Sequence, residues 1–355
     1  MLSLFRQFKK TGESYTAIDI GTGEIKLAEI KVHGRSTLIN SLRRIPTPEE
    51  TFNGNNTIEK LSSAIKELVE SGGLTCKEVI TCIGGGHVTT RNIFMPMMPA
   101  KEIDRAIIWE AEKYISLPSK DVVLRYVVLG EIDLFGNRQL NIMMIAAPKD
   151  IVYRHLEIFA RAGLEVKAID IHSFALWRVF SRETPAGDTI AVIDIGRKTS
   201  HLVILEKSHI RDVKNLSFGG TALSTHTSIP NDVKNFYGEG NKHTLRMTEA
   251  AGDTAEKAAE EVLGLRDFCI EVKKSLDSYR LQNQRSMVKK IVITGGTSKF
   301  KGIQTYLSEK LELPVELGIP DLPVSEKSGI TLPVDPVFSL AVGLALREVP
   351  AKCIR

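Results

Sequence analysis

The apolar residues of this chain form two similar segments, one near the start of each half. Residues 15–31 read YTAIDIGTGEIKLAEIK, and residues 189–207 read TIAVIDIGRKTSHLVILEK. In both segments an apolar strand ends in Asp-Ile-Gly, a polar turn follows, and a second apolar strand begins. The two aspartates are Asp19 and Asp194. This repeat predicts two duplicated lobes, each built on a strand–turn–strand unit.

Apolar residues at three- and four-residue spacing predict three helices in the first half. The first covers about 58–68 and stops at Gly72-Gly73, the second begins near Lys101, and the third ends at Gly163. The second helix is expected to turn four side chains inward, namely Ile103, Ile107, Ala111 and Tyr114.

Strand-like segments alternate with these helices. One runs on from Ile80, and two others cover 122–129 and 139–147. Together with the second and third helices they give the order β-α-β-β-α, which predicts a compact α+β insertion. The expected domains are therefore a first lobe, an insertion and a second lobe. Their ranges are 13–83 plus 163–187 plus 335–350, then 84–162, then 188–334.

The second half carries a long helix, a late strand and two shorter helices. The strand KKIVIT leads into Gly295-Gly296 and a helix whose first apolar residue is Ile303. The closing segment VFSLAVGLALR predicts a short apolar helix whose small residues suit close packing. Residues 219–252 give no clear pattern, and 221–260 lack an apolar-rich helical start. The smaller part of the second lobe is therefore expected to be reduced or partly disordered. The long helix should bury a core stripe of Val262, Leu265, Cys269, Val272, Leu276 and Tyr279.

Composition limits the partners of the chain. Its 355 residues are 43% hydrophobic and 25% charged, with a net charge of +4 and no long basic run, which argues against nucleic-acid binding. No apolar stretch approaches the roughly 20 residues that span a bilayer, so a cytoplasmic protein is expected. The start MLSLFRQFKK has two interpretations. It could be a basic amphipathic segment that touches the inner membrane, or, as we favour, a terminus that frays or packs on the fold.

Cysteine and histidine spacing indicates no metal motif. The four cysteines form no C-x-x-C pair, and the eight histidines form no H-E-x-x-H pattern. Reduced structural thiols are therefore expected rather than a zinc site or a disulfide framework.

The two Asp-Ile-Gly turns carry the candidate chemistry. Glycines in a tight turn let backbone N–H groups converge on an anion, and an aspartate at a strand end can hold the water shell of Mg²⁺. Two such turns facing each other could clamp a triphosphate between two lobes. Either copy alone is better explained as a structural hairpin; the pair, with a later strand–Gly-Gly–helix, favours phosphate binding.

These motifs resemble the actin, heat-shock-70 and sugar-kinase superfamily. The resemblance covers the phosphate loops at 19–23 and 194–196, the adenosine motif at 293–302 and the connecting segments at 169–175 and 340–347. It implies a two-lobed α/β actin-like ATPase fold of duplicated ribonuclease-H-like lobes, with ATP and Mg²⁺ as cofactors. Asp170 would orient the attacking water, although a structural aspartate is nearly as well supported. The other implied site residues are Gly21, Thr22, Gly23, Lys26, Gly196, Lys198, Thr199, Lys273, Lys274, Gly295, Gly296 and Thr297 for the nucleotide, and Asp19 and Asp194 for Mg²⁺ through water.

A narrower resemblance covers nearly the whole chain except 221–260. WEAEKYISLP at 109–118, FARAGLEVKAIDI at 159–171 and the closing GLALR are similar to the PilM family of type IV pilus assembly proteins, relatives of the division protein FtsA. The resemblance implies a cytoplasmic ATP-binding scaffold at the inner face of the inner membrane. Its implied partners are the tail of a PilN-like membrane protein, other pilus platform proteins and the pilus motor ATPase, with membrane association through the partner.

The resemblance also implies where the partner binds. The tail should enter a groove between the first lobe and the insertion, whose strands are apolar enough to need a cover. Of two aromatic residues there, Trp109 and Tyr114, one is expected in the core and the other at the groove; the alternative places both in the core.

Two other functions stay open. One is a small-molecule kinase or hydrolase on the same fold, for which no catalytic-base motif is found. The other is an FtsA-like filament-forming ATPase, against which the short ending AKCIR counts, since FtsA-like chains end in a linker and an amphipathic helix. Any hydrolysis is expected to be much slower than the enzyme median of about 10 s⁻¹. The bulky Arg197 and Lys198 depart from the small residues usual in the second turn, and they could either pair with phosphates or crowd the loop.

Overall fold

The computed structural model describes residues 13–350 except 35, 50–55, 72–76, 116, 135, 182–187, 224–251 and 283–286. The N-terminal segment and the expected reduction of the second lobe lie outside this part. The chain divides into two compact units. Unit 1 comprises Met1–Cys82, Leu156–Val179 and Pro320–Arg355, and unit 2 comprises Ile83–His155 and Phe180–Ile319.

Thirteen strands are described. They are β1 (Ser14–Ile20), β2 (Glu24–His33), β3 (Ser36–Pro46), β4 (Glu78–Cys82), β5 (Thr89–Pro96), β6 (Val122–Leu134), β7 (Asn137–Pro148), β8 (Glu165–Asp170), β9 (Thr189–Ile195), β10 (Ser200–Glu206), β11 (His209–Leu216), β12 (Lys290–Thr294) and β13 (Val315–Leu317).

Seven α-helices accompany these strands in the described residues. They are α1 (Thr57–Ser71), α2 (Ala100–Glu112), α3 (Lys149–Arg161), α4 (His172–Phe180), α5 (Gly252–Gln282), α6 (Ile303–Leu311) and α7 (Ser339–Ala345). None of them has the length and apolar character needed to cross a membrane.

Unit 1 is built on a five-stranded sheet in the order β3-β2-β1-β4-β8. The first three strands are antiparallel, and β1, β4 and β8 run parallel. One face of the sheet packs on α1 and the end of α3, where Ile18, Leu27, Ile65 and Phe159 are fully buried. On α7, a Cβ at Gly343 would lie 2.1 Å from the Ala175 carbonyl oxygen, which confirms the close packing predicted for the closing helix.

Unit 2 repeats this topology. Its larger sheet has the order β11-β10-β9-β12-β13, again with three antiparallel strands followed by parallel ones. Helices α5 and α6 cover it through Phe268, Val272, Tyr279 and Leu307. The stripe predicted on the long helix is confirmed at its described side chains, and the duplicated strand–turn–strand units are confirmed in both sheets.

A second, three-stranded sheet in unit 2 has the order β5-β7-β6. Helix α2 packs on it through Ile103, Ile107 and Ala111, as predicted. The element order β5-α2-β6-β7-α3 also agrees with the predicted order β-α-β-β-α. The strand predicted to run on from Ile80 is instead interrupted: β4 ends at Cys82, and Gly85 has a φ of 67° in a turn before β5.

The expectation that Trp109 or Tyr114 lies in the core is wrong, whereas the place of the other residue at a groove stays a prediction. Trp109 is 71% exposed and Tyr114 is 48% exposed, so neither lies in the core. Trp109 falls on the outer face of α2, and Tyr114 lies beyond the end of the helix at Glu112, where helical spacing no longer determines its direction.

Strand β11 connects the two sheets of unit 2. The Asn92 side-chain amide on β5 donates to the Arg211 carbonyl oxygen at 2.8 Å and to Asp212 Oδ1 at 3.4 Å. The Asn215 amide donates to the Val88 carbonyl oxygen at 3.3 Å. Burial raises the pKa of the Asp212 carboxyl, while Lys214 and the Val213 N–H oppose the shift. These bonds fix the small sheet against the edge of the large one.

Candidate functional site

The first Asp-Ile-Gly turn is closed by a bond within the backbone. Gly21 N–H donates to the Glu24 carbonyl oxygen at 3.1 Å. A Cβ at Gly21 would lie 2.8 Å from that oxygen, closer than side-chain carbons approach backbone. Glycine is therefore required for the turn to close.

Thr47, immediately after β3, supports this turn from outside the motif. Its hydroxyl donates to the Gly21 carbonyl oxygen at 2.6 Å, and its N–H donates to the Gly23 carbonyl oxygen at 3.0 Å. Sequence reasoning missed Thr47, because it lies 26 residues from Gly21 and no pattern connects the two. The turn is thus fixed at both of its glycines.

Asp19 at the end of β1 faces Lys26 across the hairpin. The two residues are register partners on β1 and β2, and Lys26 Nζ lies 2.8 Å from Asp19 Oδ2. Both side chains are largely buried. The ion pair offsets part of the solvation that the two charged groups lose on burial.

The second turn has the same backbone closure. Gly196 N–H donates to the Thr199 carbonyl oxygen at 3.1 Å, and a Cβ at Gly196 would lie 2.7 Å from that oxygen. The Thr297 hydroxyl donates to the Gly196 carbonyl oxygen at 2.9 Å. Thr297 therefore does in unit 2 what Thr47 does in unit 1.

A further segment supports the second turn. Gly220 N–H donates to the Gly196 carbonyl oxygen and Thr221 N–H to the Arg197 carbonyl oxygen, both at 2.8 Å. A Cβ at Gly219 would lie 2.5 Å from the Lys198 carbonyl carbon. Residues 219–252 have no clear pattern in the sequence, yet the first two of them, Gly219 and Gly220, pack directly on the turn.

Gly295 brings the late strand–Gly-Gly motif to the second turn. It has a φ of 87°, and a Cβ there would lie 2.2 Å from Asp194 Oδ1 and 2.8 Å from the Ile195 carbonyl oxygen. The absent side chain lets β12 and its following turn approach the Asp194 carboxylate. Asp194 is buried, whereas Gly296 is exposed.

The remaining predicted residues differ in placement. Arg197 and Lys198 are exposed, so their bulk does not fill the interior of the turn. Thr22 lies half-buried at the tip of the first turn. Lys273 and Lys274 are exposed side chains of α5. Their proposed contact with nucleotide stays a prediction.

Asp170 ends β8 in a network of ion pairs. Its Oδ2 lies 2.8 Å from Arg178 Nη1 and 3.5 Å from Arg347 Nη1, and its Oδ1 accepts the Ile171 N–H at 2.8 Å. The carboxylate is almost fully buried. These contacts are those of a structural aspartate, and the water-orienting role stays a prediction.

Comparison with known proteins relates the chain to a family. The family model described as "Type IV pilus assembly protein PilM" matches residues 17–349. Among curated proteins, the cell division protein FtsA of Neisseria meningitidis is 25% identical over 93% of this chain and 88% of its own length. FtsA of Pseudomonas aeruginosa is 21% identical over 95% of this chain and 89% of its own length.

A solved structure shows the same fold. The structure titled "PilM-PilN type IV pilus biogenesis complex" superimposes with a TM-score of 0.76 at 26% identity, covering 95% of this chain and 98% of that one. The predicted actin-like fold with duplicated lobes and its relation to FtsA are thereby confirmed. The chain belongs to the PilM family of type IV pilus assembly proteins.

Proposed function

We propose that this protein is an ATP-binding scaffold of type IV pilus assembly that holds the tail of a PilN-like membrane protein. The observation that carries the nucleotide part is the duplicated turn. Gly21 and Gly196 each close a backbone bond at 3.1 Å, and each carbonyl oxygen accepts a threonine hydroxyl. Two independent turns with one geometry favour a shared task over a structural accident.

The turns suit phosphate groups by their chemistry. The N–H groups of Gly21 and Gly196 are used within the turns, so the amides that follow, those of Thr22 and Gly23 in the first turn, would hold an anion. The exposed Arg197 and Lys198 add positive charge at the second turn. Gly295 and Gly296 would provide the side-chain-free surface that an adenosine needs.

Asp19 and Asp194 suit a hydrated Mg²⁺. Both are buried carboxylates at the ends of equivalent strands. Their oxygen atoms are the kind of ligand that Mg²⁺ prefers. Bound Mg²⁺ would neutralise phosphate charge. Since Lys26 already holds one oxygen of Asp19, we propose that both aspartates act through bound water rather than directly.

A scaffold explains the chain better than a fast enzyme does. The one water-orienting candidate, Asp170, is engaged by Arg178 and Arg347. We therefore expect slow hydrolysis or none. Rapid steady-state turnover by the purified monomer would overturn the scaffold in favour of a kinase or hydrolase.

The insertion is the proposed binding module for the partner. It exposes several large apolar side chains to solvent, and the similar solved structure is a complex whose title names PilN. Partner binding would place the protein at the inner face of the inner membrane. The exposed apolar residues include Met97, Ile108, Trp109, Tyr114, Leu117, Val127 and Val128.

Two measurements test these proposals separately. Titration calorimetry with ATP and Mg²⁺ should show binding that Asp194→Asn weakens more with Mg²⁺ than without it; equal losses would remove the metal role. A PilN-like tail peptide should bind in the micromolar range and protect amides of the insertion, residues 84–162, from hydrogen exchange. Trp109→Ala should weaken binding of the peptide, whereas the control Leu281→Ala, which changes a similarly exposed residue of α5, should not. Absence of peptide binding would refute the partner assignment.

A further inference from the structure

Three potential metal ligands meet at one edge of the unit 1 sheet. They are Asp19, Cys82 and His172, whose ligand atoms all lie within 4.8 Å of one another. Asp19 is near the end of β1, Cys82 ends β4, and His172 begins α4 just after β8. These three strands are parallel neighbours, and the carboxyl ends of parallel strands are where sheets of this kind bind ligands.

We propose that this cluster binds a divalent transition metal of the Zn²⁺ or Co²⁺ type. A thiolate, an imidazole and a carboxylate form a ligand set that suits such ions, whereas Mg²⁺ takes oxygen ligands. Three protein ligands with an open fourth position are also the pattern of zinc sites that bind a further molecule. Because this site shares Asp19 with the Mg²⁺ site proposed for ATP, the two ions would compete for that carboxylate.

The distance between the sulfur and the carboxylate oxygen is close to what the metal requires. Cys82 Sγ lies 3.9 Å from Asp19 Oδ1. Zinc bonds of about 2.3 Å to sulfur and about 2.1 Å to oxygen place the two atoms about 3.6 Å apart in a tetrahedron. A small contraction would therefore bring this pair to the distance that a tetrahedral ion requires.

Lys26 orients the carboxylate for this role. It holds Asp19 Oδ2 at 2.8 Å, while Oδ1 faces the sulfur. Metal-binding carboxylates are commonly fixed in this way by a hydrogen bond from a second residue. Asp19 and Cys82 are buried and His172 is half-buried, so the ion would enter on the histidine side.

Binding would be coupled to proton release. The Cys82 thiol, which now donates toward Asp19, gives its proton to solvent as the sulfur–metal bond forms. Spacing rules could not predict this site from the sequence. Asp19 and Cys82 are 63 residues apart in the chain, and the sheet brings them together.

The test is titration of the chelator-treated full-length protein with Co²⁺, followed by absorption. The wild type should bind one equivalent and develop a near-ultraviolet thiolate-to-cobalt band. Cys82→Ser should lose that band, and Cys82→Ser and His172→Gln should each weaken binding by at least about tenfold. Cys269→Ser, which changes the buried cysteine of unit 2, is the matched control and should keep both band and affinity.

Circular dichroism would verify that each variant is folded, and His172→Gln keeps the test decisive if Cys82→Ser does not fold. Binding of Mg²⁺-ATP is measured on the same proteins, because Cys82 and His172 belong to neither proposed nucleotide turn. Lack of a stoichiometric cobalt band in the wild type, or a band that survives Cys82→Ser, overturns the metal site and leaves the ATP proposal standing. A wild type that shows the cobalt band but binds no ATP overturns the ATP proposal and leaves the metal site standing.

Discussion

The two Asp-Ile-Gly turns have the same backbone but different side chains around their aspartates. Both close a glycine N–H bond at 3.1 Å, and both place a threonine hydroxyl on the glycine carbonyl oxygen. On the neighbouring strand, however, Asp19 faces Lys26, whereas Asp194 faces His201. The two turns therefore share a backbone conformation and differ in the residue opposite the aspartate.

This difference separates two roles for a glycine-rich turn. In unit 1 the largely buried Lys26 compensates the aspartate, and little of its positive charge is exposed. In unit 2 the cations Arg197 and Lys198 are exposed on the turn itself, and the Asp194 carboxylate packs on Gly295. We therefore expect the first turn to depend on its ion pair and the second on its close backbone packing.

The largest effect should come from Gly295→Val. A Cβ at this position would meet Asp194 Oδ1 at 2.2 Å, and the φ of 87° is strained for any side chain by about 1–3 kcal/mol. ATP binding, measured by calorimetry, should be abolished while circular dichroism shows a folded chain.

Gly136→Ala is the matched control for this change. Gly136 has a similar φ of 84° in the β6–β7 turn, but nothing lies within 4 Å of its would-be Cβ. It should lose stability through backbone strain alone and keep ATP binding. Unchanged ATP affinity in Gly295→Val would show that the Gly295-Gly296 surface does not bind the adenosine.

The next effect should come from Lys26→Met, which removes the partner of a buried carboxylate. Breaking a buried ion pair costs about 3–5 kcal/mol, and the lower end applies because Lys26 retains some exposure. Urea unfolding should report the loss. His201→Gln, at the equivalent register position of unit 2, should cost far less. The His201 ring makes a hydrogen bond to Asn215 at 2.9 Å, and the glutamine amide can make a bond of the same kind. Equal costs would contradict the contrast between the turns.

A smaller effect should follow from Thr47→Val and Thr297→Val. Each removes a hydroxyl that donates to a turn carbonyl oxygen, at 2.6 Å and 2.9 Å respectively. The loss should be about 1–2 kcal/mol of unfolding free energy in each case, with weaker ATP binding. Serine at the same two positions keeps the hydroxyl donor, so these variants should retain most of the stability and most of the ATP binding. Valine and serine variants that behave alike would show that the hydroxyl bonds are not needed.

Features with a local or repeated pattern could be predicted from the sequence. The paired strand–turn–strand units are a repeat, and the α2 core face at Ile103 and Ile107 and the Gly163 stop are set by neighbouring residues. Thr47 and Gly219 could not be predicted, because their contacts with the turns are long-range and have no periodic signal. Tyr114 was misplaced for a related reason: a helical pattern does not reveal where the helix ends.

The smallest effect concerns the two described cysteines, one buried in each unit. Cys82 donates toward the Asp19 carboxylate at 3.9 Å, whereas burial raises the pKa of the Cys269 thiol from 9.0 to about 12. The folded state therefore favours the neutral Cys269 thiol, and its contribution to stability is present below pH 9.0 and lost as the pH rises toward about 12. Between about pH 7.5 and pH 9.5 the wild type should lose about 1 kcal/mol more than Cys269→Ser, measured by urea unfolding. Other groups titrate equally in both proteins and cancel in the difference. If the two proteins lose stability in parallel, burial does not keep this thiol protonated, and the chemical contrast between the cysteines of the two units disappears.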